Sequence, residues 1–140
     1  MKMDRTLPVI KAVDSALLVE GNEDVAYLIR FLLMREGFAV HVATNGRDAE
    51  NFISKSSPTD IVITDLMLPY INGFELITLI RENILWRDVP VIVLSGKVTE
   101  QHIMRSIELG ANDYVSKPYR PQELIARIRR LTTRNRRRSL

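Results

Sequence analysis

The sequence predicts an α/β domain of the doubly wound class: a five-stranded parallel sheet, strand order 2-1-3-4-5, with helices on both faces. Five short apolar runs alternate with five stretches of helical periodicity. Such alternation calls for a parallel sheet joined by right-handed crossovers. Three of the runs are nearly continuous in Val, Ile and Leu, as in strands covered on both faces. The 140 residues suit one domain, which at that size buries roughly 68–70% of its unfolded surface. The order 2-1-3-4-5 comes from the smaller common doubly wound arrangement, and spacing alone does not dictate it.

The elements follow in turn. Residues 1–14 read as a loosely held N-terminal extension. The first strand is ALLVE, 16–20. Asn22 then caps a helix with Val25, Leu28, Ile29, Leu32 and Leu33 on one face, and Gly37 stops it. The second strand, AVHVA at 39–43, alternates Val40 and Val42 with His41, the mark of a more exposed edge. A short helix over 46–54 carries Ala49, Phe52 and Ile53. DIVITD, 60–65, is the third strand, and the helix over 73–82 buries Phe74, Leu76, Ile77 and Ile80. PVIVLS, 90–95, is the fourth strand. The helix over 99–109 starts at a Thr99 cap, carries Ile103, Met104 and Ile107, and ends at Gly110. DYVS, 113–116, is the fifth strand. The last helix opens on Pro121, a good first-turn residue, and turns Leu124, Ile125, Ile128 and Leu131 inward.

Composition narrows the function classes. Without cysteine there is neither a disulfide framework nor a thiolate metal site. The apolar runs fall far short of the ~20 residues of a membrane span. Lys11 and Asp14 break any signal-peptide core, so a cytoplasmic protein is expected. The net charge of +3 conceals an asymmetry: residues 120–140 sum to +7, which leaves −4 for the remainder. A basic tail of that kind attracts nucleic acid or an acidic partner, or serves only as a solvated helix end whose cations suit the dipole. The chain has no helix-turn-helix or RNA-binding signature and few aromatics to stack bases, which speaks against nucleic acid. A cofactor site of the flavodoxin kind needs a phosphate-cradling loop after the first strand, and EGNED is acidic there.

In an open sheet of this class, sites form beyond the C-terminal strand ends, near the reversal of strand order. Strand 1 ends in Glu20, strand 3 in Asp65 and strand 4 in Ser95; strand 5 runs into Lys117-Pro118. Singly, these are a turn residue, a cap and a surface cation. Converging on one rim, they make a phosphoryl-transfer site. One carboxylate serves as nucleophile, a lysine and a hydroxyl hold phosphoryl oxygens, and Mg²⁺ neutralises developing charge.

Four stretches, LLVEGNED, ITDLMLPYINGFEL, VIVLSG and GANDYVSKPY, together resemble the receiver domain of two-component response regulators. The resemblance covers about residues 15–131 in the family's order and spacing, and the domain is set at 15–133, with 134–140 a basic tail. It implies a flavodoxin-like (βα)5 fold. It implies that Asp65 is the phosphoacceptor, charged by the phosphohistidine of a histidine kinase or phosphotransfer protein in a phosphorelay. Lys117 then pairs with Asp65 and later with the phosphoryl group, across a cis peptide to Pro118. The Ser95 hydroxyl bonds a phosphoryl oxygen, Gly96 leaves access, and Tyr114 is the aromatic switch that follows Ser95. Mg²⁺ is implied on Asp65, on the Met67 carbonyl and on Glu20 through water, with Pro69 and Gly73 shaping the loop between. The chain is then a switch and not an enzyme, catalysing only its own phosphoryl transfer and hydrolysis. PQELIARIRRL resembles receivers that form homodimers through the fourth helix, fifth strand and fifth helix. The downstream effector is unspecified.

One position departs from the pattern. Receivers place two acids after the first strand, and here Gly21 stands in the second place, usually a direct Mg²⁺ ligand. Loss of even an outer-shell partner weakens metal binding about tenfold to a hundredfold, so weak Mg²⁺ binding is expected. The alternative is that Gly21 merely serves the turn, with Asn22 or Glu23 helping. A pseudo-receiver, acting as a protein-interaction module without phosphorylation, is the corresponding functional alternative. Met67 and Lys97, two residues past Asp65 and Ser95, offer no group to orient a hydrolytic water, which predicts a long-lived phosphoryl group.

Overall fold

The computed structural model describes residues 14–96 and 99–139, with side chains through residue 133. Residues 1–13, Lys97 and the side chains of the basic tail lie outside the described residues. The strands are β1 (Asp14–Val19), β2 (Phe38–Ala43), β3 (Ile61–Thr64), β4 (Val91–Ser95) and β5 (Asp113–Ser116). They form one parallel sheet in the order β2-β1-β3-β4-β5. In register, Val19 lies beside Ala43 on one side and Thr64 on the other, and Ser95 lies beside Ser116.

The helices are α1 (Glu23–Arg35), α2 (Gly46–Lys55), α3 (Gly73–Glu82), α4 (Glu100–Leu109) and α5 (Pro121–Ser139). Their starts are fixed by side chains that satisfy the first free N–H groups. Asn22 accepts from Val25, Asn45 from Asp48 and Thr99 from His102. Asn72 and Glu75 close a reciprocal capping box on α3.

Two cores follow from the crossovers. On one face α1 and α5 cover the sheet, with Ile29, Leu33, Leu124 and Ile128 packed on Leu18, Ile63 and Ile92. On the other, α2 and α3 pack Ile53, Leu76, Ile77 and Ile80 on Leu17, Val62 and Val93. Each such side chain stabilises the fold by roughly 1.5–3 kcal/mol on burial. Trp86 is fully buried in this second core, and its Nε1 donates to the Ser56 carbonyl, 3.2 Å.

The periodicity misplaces some side chains. In α1 the buried residues are Ala26, Ile29 and Leu33, whereas Leu28 is exposed. Leu28 lies one residue before Ile29, about 100° round the helix, so the two do not share the covered face. Of the apolar residues that α4 carries, Met104 and Ile107 stand out in solvent, and Ser106 is the buried residue. At the ends, Asp14 belongs to β1, not to the extension, and the α5 backbone stays helical to Ser139.

Candidate functional site

The C-terminal ends of β1, β3, β4 and β5 bring Glu20, Asp65, Ser95 and Lys117 to one rim. Backbone bonds fix their positions first. The Glu20 N–H donates to Ala43 at 3.0 Å, the Asp65 N–H to Val19 at 3.0 Å, and the Lys117 N–H to Ser95 at 3.0 Å. The Lys117–Pro118 peptide is cis, as the resemblance implies.

Lys117 is the hub. Its Nζ donates to Glu20 Oε1 at 2.6 Å and to Asp65 Oδ2 at 3.2 Å. Burial alone pulls the ammonium's pKa down, but the hydrogen bond to Glu20 and the charge of Asp65 outweigh it and leave it raised. Lys117 therefore stays charged between two carboxylates. The sequence reading paired it with Asp65; the shorter bond is to Glu20. No sequence signal discloses that preference, because 97 residues separate the two.

Asp65 is held from its other side. Its Oδ1 accepts from the Leu66 N–H at 2.6 Å and the Met67 N–H at 3.4 Å. The loop after it is clamped by Gly73, whose N–H donates to Leu66 at 2.9 Å. A Cβ at Gly73 would lie 2.4 Å from the Asp65 carbonyl oxygen, so only glycine lets α3 start this close. Pro69 lies in the same loop, and the Met67 side chain is exposed.

Ser95 is buried at the end of β4. Tyr114 lies partly buried on neighbouring β5, and burial raises its pKa against a hydrogen bond with the Ser95 side chain that lowers it. The predicted switch pair is thus in contact, within electrostatic range of Asp65. Beside Gly96, no heavy atom of the described residues other than its chain neighbours lies within 4 Å of where a Cβ would stand.

The donor set fits a divalent cation incompletely. Both Glu20 oxygens are engaged, Oε1 by Lys117 and Oε2 by the Asn22 N–H at 3.1 Å. Gly21 supplies no side chain. Among the described residues, no group of three or more His, Asp or Glu side chains is placed to hold a metal ion. Nor does the turn demand glycine: Gly21 is not among the positive-φ residues. A Cβ there would meet the Thr44 carbonyl at an ordinary 3.4 Å.

Two features escaped the sequence reading. Arg127 of α5 grips Asp113 of β5 with Nη1 at 2.9 Å to each carboxylate oxygen, and it also bonds Glu123. The Glu123–Arg127 spacing was legible as an i,i+4 pair; Asp113 was not. The Tyr119 hydroxyl, two residues past Lys117, is buried without a hydrogen-bond partner among the described residues.

Comparison with known proteins agrees with this fold. The family described as response regulator receiver domain matches residues 16–129. The alkaline phosphatase synthesis transcriptional regulatory protein SphR of Synechococcus elongatus is 36% identical over 136 residues, 91% of this chain and 52% of that protein. The response regulator SaeR of Staphylococcus aureus is 34% identical over 118 residues, 84% of this chain and 50% of its own. The chain thus spans about half the length of these curated relatives. Among solved structures, a response regulator from Chloroflexus aurantiacus superposes with a TM-score of 0.81 at 30% identity, covering 86% of this chain and 98% of the other. The receiver domain of a Pseudomonas aeruginosa sensor histidine kinase, described with a magnesium ion coordinated in its active site cleft, superposes at 0.80 with 27% identity over 87% of this chain and 99% of its own. The match over residues 16–129 and the parallel order β2-β1-β3-β4-β5 agree: this chain belongs to the response regulator receiver domain family.

Proposed function

We propose that the chain is a phosphorylation-controlled switch in which Asp65 takes a phosphoryl group from the phosphohistidine of a histidine kinase or phosphotransfer protein. The supporting observation is the Lys117 bridge from Glu20 to Asp65, which holds a permanent cation beside the reacting carboxylate. An Asp65 oxygen forms its bond to phosphorus as the phosphorus–nitrogen bond breaks, and the imidazole leaves with the electron pair. Lys117 then follows the charge onto a phosphoryl oxygen, and the Ser95 hydroxyl exchanges Tyr114 for another. The acyl phosphate adds roughly −1.5 to −2 charge, by analogy with other phosphorylated side chains. The rim repacks, shifting the population of the α4–β5–α5 face.

Mg²⁺ in this family neutralises the charge on the transferring group. Here the Asp65 carboxylate, the Met67 carbonyl and Glu20 through water would hold the ion, and Gly21 removes one donor. Weak binding of the ion is therefore part of the reading, and a cytoplasmic setting suits the kinase partner. A homodimer through α4, β5 and α5 is supported by Met104 and Ile107, 52% and 47% exposed. The second reading, a pseudo-receiver, is favoured by the same Gly21. Incubation with a small phosphodonor and intact-mass measurement separates the two. One added phosphoryl group, lost in Asp65→Asn, supports the switch, and no added mass supports the pseudo-receiver.

A further inference from the structure

Tyr119 carries a hydroxyl that the resting fold does not use. Its ring packs against the core that α1 and α5 form on the sheet, a task that needs no oxygen. The hydroxyl is nevertheless buried, with no hydrogen-bond partner among the described residues. A buried donor left unsatisfied costs about as much as a lost hydrogen bond, so such groups are rare and call for an explanation.

The alternation of side chains along the strands shows what surrounds it. Ala16 and Leu18 of β1 point into the α1–α5 core, and Val115 of β5 joins them there. Glu20 continues the side of Ala16 and Leu18, and Lys117 continues the side of Val115. The ladder still holds at both residues, where the Glu20 N–H donates to Ala43 and the Lys117 N–H to Ser95, each at 3.0 Å. Glu20, Lys117 and Tyr119 therefore share the α1–α5 side of the rim. Burial holds the Tyr119 pKa above its ordinary value; the Lys117 charge lowers it and the Glu20 charge raises it. The hydroxyl thus keeps its proton at neutral pH and can donate it in a hydrogen bond.

Glu20 needs such a donor once Lys117 moves. Its side chain is only 5% exposed. Oε1 holds the Lys117 ammonium at 2.6 Å, and Oε2 holds the Asn22 N–H at 3.1 Å. When Lys117 follows the charge onto a phosphoryl oxygen, its bond to Glu20 weakens. A buried carboxylate that loses its cation is costly to the fold. A hydroxyl bonded to that carboxylate recovers part of the loss, because hydrogen bonds to charged groups are the stronger kind.

We propose that Tyr119 is a positioning residue of the switch, whose hydroxyl donates to Glu20 Oε1 as the Lys117 ammonium is drawn to the phosphoryl group. The proposal rests on the reading of Asp65 as phosphoacceptor. Tyr119 touches neither Asp65 nor the phosphoryl group in this scheme; it acts by making Lys117 easier to release.

Tyr119→Phe removes the oxygen and keeps the ring. Without ligand its urea midpoint should equal or exceed that of the parent, because no hydrogen bond is lost. Beryllofluoride, a mimic of the phosphoryl group on an aspartate, should bind it about tenfold more weakly at saturating Mg²⁺, the weight of one hydrogen bond to a charged group. In a Glu20→Gln background, where the acceptor is a neutral amide oxygen, the penalty of Tyr119→Phe should shrink. The NMR resonance of Tyr119 Cζ, identified by its loss in Tyr119→Phe, should move as the parent is saturated with beryllofluoride. Equal beryllofluoride affinities in parent and Tyr119→Phe overturn the proposal. So does a midpoint that falls in Tyr119→Phe without ligand, or a penalty undiminished by Glu20→Gln. A parent that gains no phosphoryl mass from a small phosphodonor and binds no beryllofluoride overturns the switch reading itself, and the exchange at Glu20 with it.

Discussion

Lys117 shows what a single residue decides. Its ammonium stands between a Glu20 side chain only 5% exposed and the Asp65 carboxylate. Replacing it with Met strands Glu20 as a buried charge with only the Asn22 N–H to satisfy it. The expected loss is about 1–3 kcal/mol or more, read from urea unfolding. Gly21→Asp, by contrast, meets only ordinary contact and should stay within about 0.5 kcal/mol of the parent. The strand-end residues were legible because a parallel sheet delivers its C-terminal strand ends to one rim. What could not be read was how they share hydrogen bonds. That Glu20 takes both Lys117 and the Asn22 N–H follows from side-chain distances that no spacing encodes.

At the scale of elements, the buried face of α3 was legible and that of α4 was not, for one reason. Periodicity shows which residues share a face but not whether anything covers that face. The apolar line of α3 meets the sheet; Met104 and Ile107 of α4 meet solvent. Met104→Ser/Ile107→Ser should therefore change stability by no more than about 0.5 kcal/mol, whereas Ile128→Ala, at a fully buried site, should cost about 2–5 kcal/mol. Thermal unfolding of both variants checks the contrast. The junction of β3 and α3 is tighter still. A methyl at Gly73 would lie 2.4 Å from the Asp65 carbonyl oxygen and 2.7 Å from the Leu66 Cα. Both are backbone atoms that cannot swing aside. Gly73→Ala should destabilise the fold by about 1–3 kcal/mol and slow phosphoryl uptake, because it displaces the loop that carries Asp65. The sequence pointed to Gly73 through the resemblance alone; the reason for glycine lies in the approach of α3.

For the whole molecule, the charge of the rim sets the response to pH and to metal. The pKa of Lys117 is higher in the folded chain than in the unfolded one. Its contribution is then fully present below the unfolded lysine value of about 10.4 and is lost as pH rises through the folded value. Stability from this group should be level through neutrality and fall only in the strongly alkaline range. That alkaline component should vanish in Lys117→Met. The fold was readable from the alternation of runs and the four motifs; the strand order came from the smaller doubly wound class and not from spacing. The balance of charge within the rim was readable only in part: the missing carboxylate at Gly21 stood in the sequence, but the sharing of one ammonium between Glu20 and Asp65 did not. The most direct test is phosphodonor labelling across a Mg²⁺ series, followed by intact mass, on the parent chain, Gly21→Asp and Asp65→Asn. The parent should gain one phosphoryl group, Asp65→Asn none, and Gly21→Asp should reach half-maximal rate at about tenfold less Mg²⁺ or lower. Labelling that persists in Asp65→Asn, or equal Mg²⁺ requirements for the parent and Gly21→Asp, would contradict this account.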